Sequence, residues 1–503
     1  MRYRQITQDR AGGLPAKFRG GSYFVRSGDS ESPAAPACDG GLPCLLTGWP
    51  QRIVGNAAFF VFLWCTIGDF RCTIGDFNGI IVVIPRKTDG SPPVCHKEGV
   101  RGTLKDLKHL YYFENLLQEA NNELIRQAQE EGKVCVAYTC ENTPEPLLNL
   151  PGAFSVRLRA PRTGSVDIAT YYLTSFLCEY SRALLERAIE GGFNFADCVI
   201  TPDGCSMMNR CIENMELLKT MGQGKEHFFF EYMEIPMKGD ENGLNLYVLQ
   251  CRNHILKPLA EHYGIDVSDA AIRQAVAQHN RVCELLRAIG EYRKGDRPAI
   301  TGYEFHVLTL ASYACPKHLI IDKLEETLEE LKTREPLDSG AFRARVVLVG
   351  SEVDDLDFIK LVEDSGAFVC ADRFCYGSLP GRNPIVLNDE EDALTQICRQ
   401  YQQRGQCPRY MDTPKMNARR EYVAALAREY GADGIIYDQM KFCDPWAYEK
   451  MLGSHILREE FGYPVLAVDR PYSIASSGQM RTRVQAFVES VEIKKIQGGV
   501  HNG

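Results

Sequence analysis

The sequence predicts an α/β fold in which two parallel-sheet lobes are joined by a helical connector. From about residue 104 onward, short β-rich runs alternate with amphipathic helical stretches, the pattern of a parallel sheet covered by crossover helices. That alternation occurs twice, with a mostly helical stretch over 241–335 between the two series. The length of 503 residues also exceeds what one ordinary core holds and implies two or three domains.

Residues 1–103 differ from the rest. They are rich in Gly, Pro and Ser, as in SGDSESPAAPACDGG, and carry a short tandem repeat, CTIGDF at 65–70 and again at 72–77. A six-residue unit repeated once is not a solenoid period. The segment is expected to be a poorly ordered N-terminal extension, or the product of a start codon assigned too far upstream. The N-terminal lobe, 104–240, opens with LKDLKHLYYFENLLQEANNELIRQAQEEG, apolar at three- and four-residue spacing and expected as one long helix. The strand KVCVAYTC follows, then a Pro-rich turn, ENTPEPLL, and the strand FSVRLR. Next come the helix YYLTSFLCEYSRALLERAIEGG, the strand ADCVITPDG, the helix MMNRCIENMELLKTMG and the strand HFFFEYMEIP. The connector, 241–335, contains the helices SDAAIRQAVAQHNRVCELLRAIGEYR and HLIIDKLEETLEELKTR. The C-terminal lobe, 336–503, runs through RARVVLVGSEVDDLDFIKLVEDSG, AFVCADRFCYG, EYVAALAREYGADGIIYDQMKFCD and ILREEFGYPVLAVDR to the helix SGQMRTRVQAFVESVEIKKI.

Composition excludes several classes. A net charge of −9 and a pI near 5.7 disfavour electrostatic binding to nucleic acid or to an anionic membrane. The apolar run AAFFVFLWC, 57–65, is about half the roughly 20 residues of a membrane-spanning helix, and no clean signal peptide precedes it. A cytoplasmic location is expected. The 19 cysteines are an odd number without an export signal, which points to a reducing compartment rather than a disulfide framework. No C-x-x-C pair occurs, so zinc ribbons, thioredoxin-like motifs and common ferredoxin runs are absent, and any metal site must be assembled from distant segments.

Three cysteines stand where such an assembly could form. Cys443, in DQMKFCDPWAYEK, lies between a buried strand and a helix, the corner where an open α/β sheet presents its ligands. Cys205, in VITPDGCSMMNR, follows a strand of the first lobe, and Cys178, in TSFLCEYSRALL, lies near the start of a third helix. Unpaired backbone N–H groups in a first helical turn favour a thiolate. Were the lobes to face each other, the three could share one iron–sulfur cluster and leave one iron open to substrate. The bland alternative is buried core, and Cys135, Cys198, Cys251, Cys283, Cys315 and Cys398, inside apolar helix or strand patterns, are read that way.

Three segments carry a resemblance: LTSFLCEYSRALLERAIEGGFNFADCVITPDGCSMMNR, QCPRYMDTPKMNARREYVAALAREYGADGIIYDQMKFCDPW and GYPVLAVDRPYSIASSGQMRTRVQAFVES. From about 106 to 498 the chain resembles the 2-hydroxyacyl-CoA dehydratase and benzoyl-CoA reductase family, most specifically in its KFCD corner and its GQMRTRVQAFVE helix. The resemblance implies Rossmann-like or flavodoxin-like lobes and a [4Fe-4S] cluster held by three cysteines, matching Cys178, Cys205 and Cys443. Cys407 is a reserve ligand, with Cys211, Cys370 and Cys375 further possibilities. It also implies a heterodimer with a related sister subunit, an acyl-CoA substrate and a separate ATP-hydrolysing iron–sulfur activator. This chain has no G-x-x-x-x-G-K-[ST] phosphate loop of its own.

The reaction so implied is removal of water from a 2-hydroxyacyl thioester. It is difficult because the carbonyl does not acidify the β hydrogen. One low-potential electron added to the thioester carbonyl gives a ketyl radical anion that expels the α-hydroxyl. The resulting radical makes the β hydrogen acidic, and the electron returns after deprotonation. Reductase relatives direct such electrons to an aromatic acyl-CoA ring instead. A third reading is an electron-relay or structural partner subunit without catalysis of its own. The turn TCENTPEPLL falls where the family has a Pro-x-Glu-Leu loop, but the Glu position reads Pro146 and the acid moves to Glu145, the expected proton-handling residue. Arg481 and Arg483 could meet a CoA phosphate or a carboxylate, and Ser476, Ser477 and Gly478 could bind an anion or cap the helix they precede. An NAD-dependent dehydrogenase or a zinc hydrolase finds no support, since G-x-G-x-x-G after a strand and H-E-x-x-H are both missing.

Overall fold

The computed structural model describes residues 105–500 other than 339, 379–381, 411 and 473–476, together with three strands nearer the start. The chain divides into two compact units, Met1–Pro93 and Val94–Gly503. In the first, β1 (Trp64–Ile67), β2 (Phe70–Phe77) and β3 (Ile80–Lys87) form an antiparallel sheet in that order. The tandem repeat forms its first hairpin, Cys65 opposite Cys72 and Ile67 opposite Phe70. The rest of the N-terminal extension expected over 1–103 lies outside the described residues.

The second unit begins with α1 (Leu110–Leu116) and α2 (Glu123–Glu130), where the sequence predicts one helix. Asn122 breaks it: its side chain accepts from the N–H groups of Leu124 and Ile125 and so starts a new helix, while its amide donates to Ala314 O at 2.9 Å. The first α/β series then supplies β4 (Val134–Tyr138), β5 (Ala153–Arg157), α3 (Asp167–Tyr172), α4 (Glu179–Ile189), β6 (Cys198–Asp203), α5 (Ser206–Leu217) and β7 (Phe229–Glu234). Its four strands are all parallel, in the order β5-β4-β6-β7.

The connector holds α6 (Glu241–Cys251), which runs through a π-turn at Arg252–Leu256 into α7 (Lys257–Tyr263), followed by α8 (Asp269–Glu291), α9 (Gly302–Ala314) and α10 (Lys317–Leu331). All of α9 except Tyr303 is buried, as expected of a helix that is apolar on every side. It packs on β5 of the first sheet and on β9 (Ala367–Cys375) of the second, so both lobes share one central helix.

The second sheet contains β8 (Ala344–Glu352), β9, β10 (Gly434–Met440) and β11 (Val465–Arg470), all parallel in the order β11-β10-β8-β9. Its helices are α11 (Asp357–Asp364), α12 (Ala393–Arg404), α13 (Thr413–Glu429), α14 (Asp444–Glu459) and α15 (Ser477–Val500). Each sheet thus follows the order second, first, third, fourth strand of its own series, the doubly wound arrangement of flavodoxin-like folds. Helix α12 crosses back to pack on α6 and α8, where Leu394, Ile397 and Cys398 enter the same core as Val136 and Ile200 of the first sheet. Among the described residues no helix is long and apolar enough to cross a membrane.

The start of α14 is held by charge. Glu449 on α14 accepts from Arg419 Nη2 at 2.5 Å and from Arg420 Nε at 3.2 Å, and all three side chains are buried. Removing the acid strands two buried guanidinium groups. Glu449→Ala is therefore expected to destabilise the chain by about 3–5 kcal/mol in chemical denaturation; a loss under about 1 kcal/mol, as for an exposed pair, would contradict this packing.

Candidate functional site

Parallel strands all end in one direction, so the chain leaving each strand lands on the same rim of its sheet. On the first sheet Arg157 is the last residue of β5, Glu141 follows β4, and Cys205 lies two residues beyond β6. On the second sheet Glu352 ends β8, Cys375 ends β9, and Cys443 lies three residues beyond β10. Cys205 and Cys443 thus leave the third strand of their respective sheets. Each stands at the point where the strand order reverses and open α/β sheets bind ligands.

The two rims are stitched face to face. Arg159, two residues past β5, donates from Nε and Nη2 to Asp354 O at 2.9 and 2.6 Å, just past β8. The hydroxyls of Tyr180 and Tyr376 meet at 2.8 Å. Tyr472 OH donates to Ala160 O at 3.0 Å and bonds Asp354 Oδ2 at 2.8 Å. Phe176, just before Cys178, meets Phe442, just before Cys443, edge to face at 6.2 Å. Phe442 itself holds a left-handed backbone, φ 66°, a strained conformation for an aromatic residue and one that turns the chain from β10 into α14.

Cys178, Cys205 and Cys443 are each the residue that opens a helix: α4, α5 and α14. The helix predicted over 171–192 is interrupted so that this holds for Cys178, with α3 ending at Tyr172 and α4 starting at Glu179. Burial pushes the Cys178 thiol up to about 12, opposed by the backbone N–H groups of Ser181 and Tyr180 in the first turn. Burial likewise raises Cys205, opposed by the N–H groups of Met208 and Met207, and raises Cys443 strongly, opposed by that of Trp446. After burial, the largest influence on Cys443 is Cys178, with Cys205 also contributing, so the structure brings the three thiols within electrostatic reach of one another.

Among the described residues no group of three or more His, Cys, Asp or Glu side chains stands close enough to hold a single metal ion. A four-iron cubane spreads its thiolates over separate irons and needs a wider spacing. The donor set fits such a cluster. One buried thiol, Cys178, and two part-buried ones, Cys205 and Cys443, resist ionisation in the free chain, a bound metal deprotonates them outright, and three helix N-termini supply N–H groups and positive dipole ends to the anionic sulfurs.

A family model described as 2-hydroxyglutaryl-CoA dehydratase, D-component, matches residues 140–491. The chain belongs to that family. The 2-hydroxyglutaryl-CoA dehydratase D-component match spans all three helix-opening cysteines and both sheet rims. Similar proteins include the (R)-phenyllactyl-CoA dehydratase beta subunit of Clostridium sporogenes, 23% identical over 75% of this chain and 97% of the relative. The lactoyl-CoA dehydratase beta subunit of Anaerotignum propionicum is 23% identical over 72% of this chain and 92% of its own. A benzoyl-CoA reductase subunit of Thauera aromatica is 22% identical, with coverages of 73% and 93%.

In this dehydratase-family chain Glu145 lies in a buried ion cluster. It receives Lys317 Nζ at 2.6 Å, Arg382 Nη1 at 2.9 Å and Tyr138 OH at 3.1 Å, and His279 Nδ1 stands at 3.5 Å. Burial works to raise its pKa, but Arg382, Lys317 and His279 override it and hold the carboxyl well below its ordinary range. Cys283 belongs to the same cluster, 3.3 Å from His279 Nε2; burial would raise its thiol, yet His279 brings it below the ordinary value. Of the reserve thiols, Cys407 is influenced by Glu141 and Cys140, and Cys375 by Glu352, Glu141 and Cys407. Cys211 donates to Ser181 O at 3.1 Å inside α5 and α4 packing, and Cys370 donates to Val346 O at 3.3 Å within the sheet. Arg483 donates to Ala467 O at 2.8 Å and packs α15 on β11; Ser476 lies outside the described residues.

The residue that sequence reasoning missed is Glu352. It influences the thiols of Cys178, Cys205 and Cys443 alike. A register shift between Gly350 and Glu352 breaks the β8–β9 ladder there and re-aims the end of the strand. Gly350 permits it, since a Cβ at that position would collide with the Asp438 carbonyl of β10. Burial first, then Glu141 and Asp354 against the pull of Arg157, raises the Glu352 carboxyl from 4.5 to about 7. The unfolded chain releases this proton near 4.5 while the folded chain keeps it to about 7, so the associated stability is present below that window and lost as pH rises through it. In the iron-free chain, Glu352→Gln should gain up to about 3 kcal/mol over wild type between about pH 5 and about pH 8. A pH-independent difference between the two unfolding curves would contradict the raised value.

Proposed function

We propose that the chain is the iron–sulfur subunit of a 2-hydroxyacyl-CoA dehydratase, removing water from a 2-hydroxyacyl-CoA thioester by the ketyl route. What supports it is that three thiols, each opening a helix, lie within electrostatic reach of one another where the rims of two parallel sheets face, in a chain of a family whose members include proteins named as CoA dehydratases. Cys178, Cys205 and Cys443 would hold a [4Fe-4S] cluster, which supplies one-electron transfer and Lewis acidity at an iron without a cysteine.

The chain's own groups divide the remaining work. The first turns of α4, α5 and α14 hold negative charge at the sulfurs. Glu352, with a carboxyl raised to about 7, is suited to take up and release a proton beside them near neutral pH. Glu145, held as an anion by Lys317 and Arg382, acts on this reading as the fixed centre of the ion cluster under the ENTPEPLL turn. The partner would be a related sister subunit, since several relatives are named as beta subunits. Large exposed apolar side chains near Cys178 and Cys443, among them Tyr171, Phe176, Tyr448 and Met451, suit a face covered by that sister chain. A separate ATP-hydrolysing iron–sulfur activator would deliver the electron, and the cytoplasm is the proposed location. The benzoyl-CoA reductase relative carries the second reading, electron delivery to an aromatic acyl-CoA.

Cysteine variants test the cluster. Serine at 178, 205 or 443 should lower bound iron and acid-labile sulfide in anaerobically purified protein and abolish turnover. Cys251→Ala, whose thiol packs against Cys398 at 3.7 Å in the second core, should leave bound iron unchanged. Equal iron loss in all four would show that misfolding, not ligation, was measured.

A further inference from the structure

Arg157 is the most incompletely satisfied buried side chain on the facing rims. Its side chain has no exposed surface and ends β5. Nε donates to Thr139 O at 3.3 Å, and the guanidinium plane lies 3.7 Å over the ring of Tyr376 and 5.3 Å from that of Tyr313. Its Nη1 and Nη2, by contrast, have no hydrogen-bond partner. The nearest acid, Glu352 Oε2, is 3.6 Å from Nη2, beyond hydrogen-bond range, and also lacks a partner. Glu141 Oε2 and Arg373 Nη1, electrostatic neighbours of the same group, lack partners as well. Buried donors are rarely left without an acceptor, because each costs about 1–3 kcal/mol. A stacked guanidinium with one edge pinned and the other unmet is a receptor held ready for acceptor oxygens.

We propose that Arg157 receives the reacting end of the substrate, its Nη1 and Nη2 donating to the thioester carbonyl and the 2-hydroxyl oxygen of a 2-hydroxyacyl thioester. This rests on the acyl-CoA reading above. Two oxygens on adjacent carbons match the two free corners of the fork, whereas a benzoyl or simple acyl thioester offers only the carbonyl. Arg157 therefore selects 2-hydroxyacyl esters over esters lacking the hydroxyl. Tyr376 and Tyr313 keep the plane of the fork fixed, and Glu352 stands beside the end that meets the hydroxyl.

The test is binding, not turnover. The complex with its sister subunit is titrated with free CoA and with three ester pairs: lactoyl- and propionyl-CoA, phenyllactyl- and phenylpropionyl-CoA, and 2-hydroxyglutaryl- and glutaryl-CoA. The tightest pair is carried forward to Arg157→Met and Arg157→Lys, each checked for wild-type iron content and unfolding midpoint. The expected result is a wild-type preference for the hydroxy ester that falls about tenfold or more in Arg157→Met, with free CoA binding unchanged. Arg157→Lys, which keeps the charge but not the fork, should lose most of the preference too, and it serves if the methionine variant does not fold. A folded variant of either kind that keeps the wild-type preference overturns the proposal, as does a wild-type complex that binds both esters of every pair equally. A wild-type complex that binds neither CoA nor any ester would instead remove the acyl-CoA reading itself.

Discussion

A single geometric constraint organises this molecule: every strand of its two four-stranded sheets is parallel, and the carboxyl ends of both sheets face each other. Whatever follows a strand is thereby delivered to one interval. Residues far apart in sequence, such as Cys205 and Cys443 or Arg157 and Glu352, become neighbours without any long loop having to reach. The buried helix α9 keeps the two sheets at fixed separation by packing on a strand of each. The Arg159–Asp354 and Tyr180–Tyr376 contacts then fix their relative orientation at the rim itself.

The electrostatics of that interval are unusual for a protein interior. Burial opposes ionisation of all three thiols, and Glu352 adds negative charge beside them, while the compensation on the protein side comes chiefly from helix N-termini. Fully buried cations sit close by without complete partners, Arg157 foremost. Elsewhere in the fold buried acids are matched by cations, Glu449 by Arg419 and Arg420 and Glu145 by Lys317 and Arg382, and there too some guanidinium nitrogens, Arg419 Nε and Arg382 Nε and Nη2, have no hydrogen-bond partner.

Much of the architecture was legible because parallel sheets write themselves plainly. Buried strands such as GIIYDQM and RVVLVG are near-continuous apolar runs, and the helices between them have clear periodicity. The chain's two-lobed α/β class followed, as did the strand-to-helix corners at Cys205 and Cys443. What periodicity could not show were the breaks. A single Asn122 cap divides an apolar pattern that is continuous in sequence, and the gap before Cys178 rests on tertiary packing around α3 and α4. Helix α12, polar over much of its length, has an apolar side that matters only because it returns to the first lobe's core. The site's acid was harder still. Glu145 stood out by its place in a Pro-rich turn, yet its surroundings come from Lys317, Arg382 and His279, far away in sequence. Glu352 sits in an ordinary GSEVDD stretch, and its raised pKa exists only through burial against the opposite rim. A bulge beside Gly350 offered the one local hint.

The most direct measurement is an anomalous difference map at the iron edge from anaerobically grown crystals of the complex. The account predicts one compact iron cluster on this chain between the two rims, enclosed by the Sγ atoms of Cys178, Cys205 and Cys443. Iron held instead by the neighbouring Cys140, Cys375 and Cys407, or a well-ordered rim with no iron density in material that turns over substrate, would contradict it.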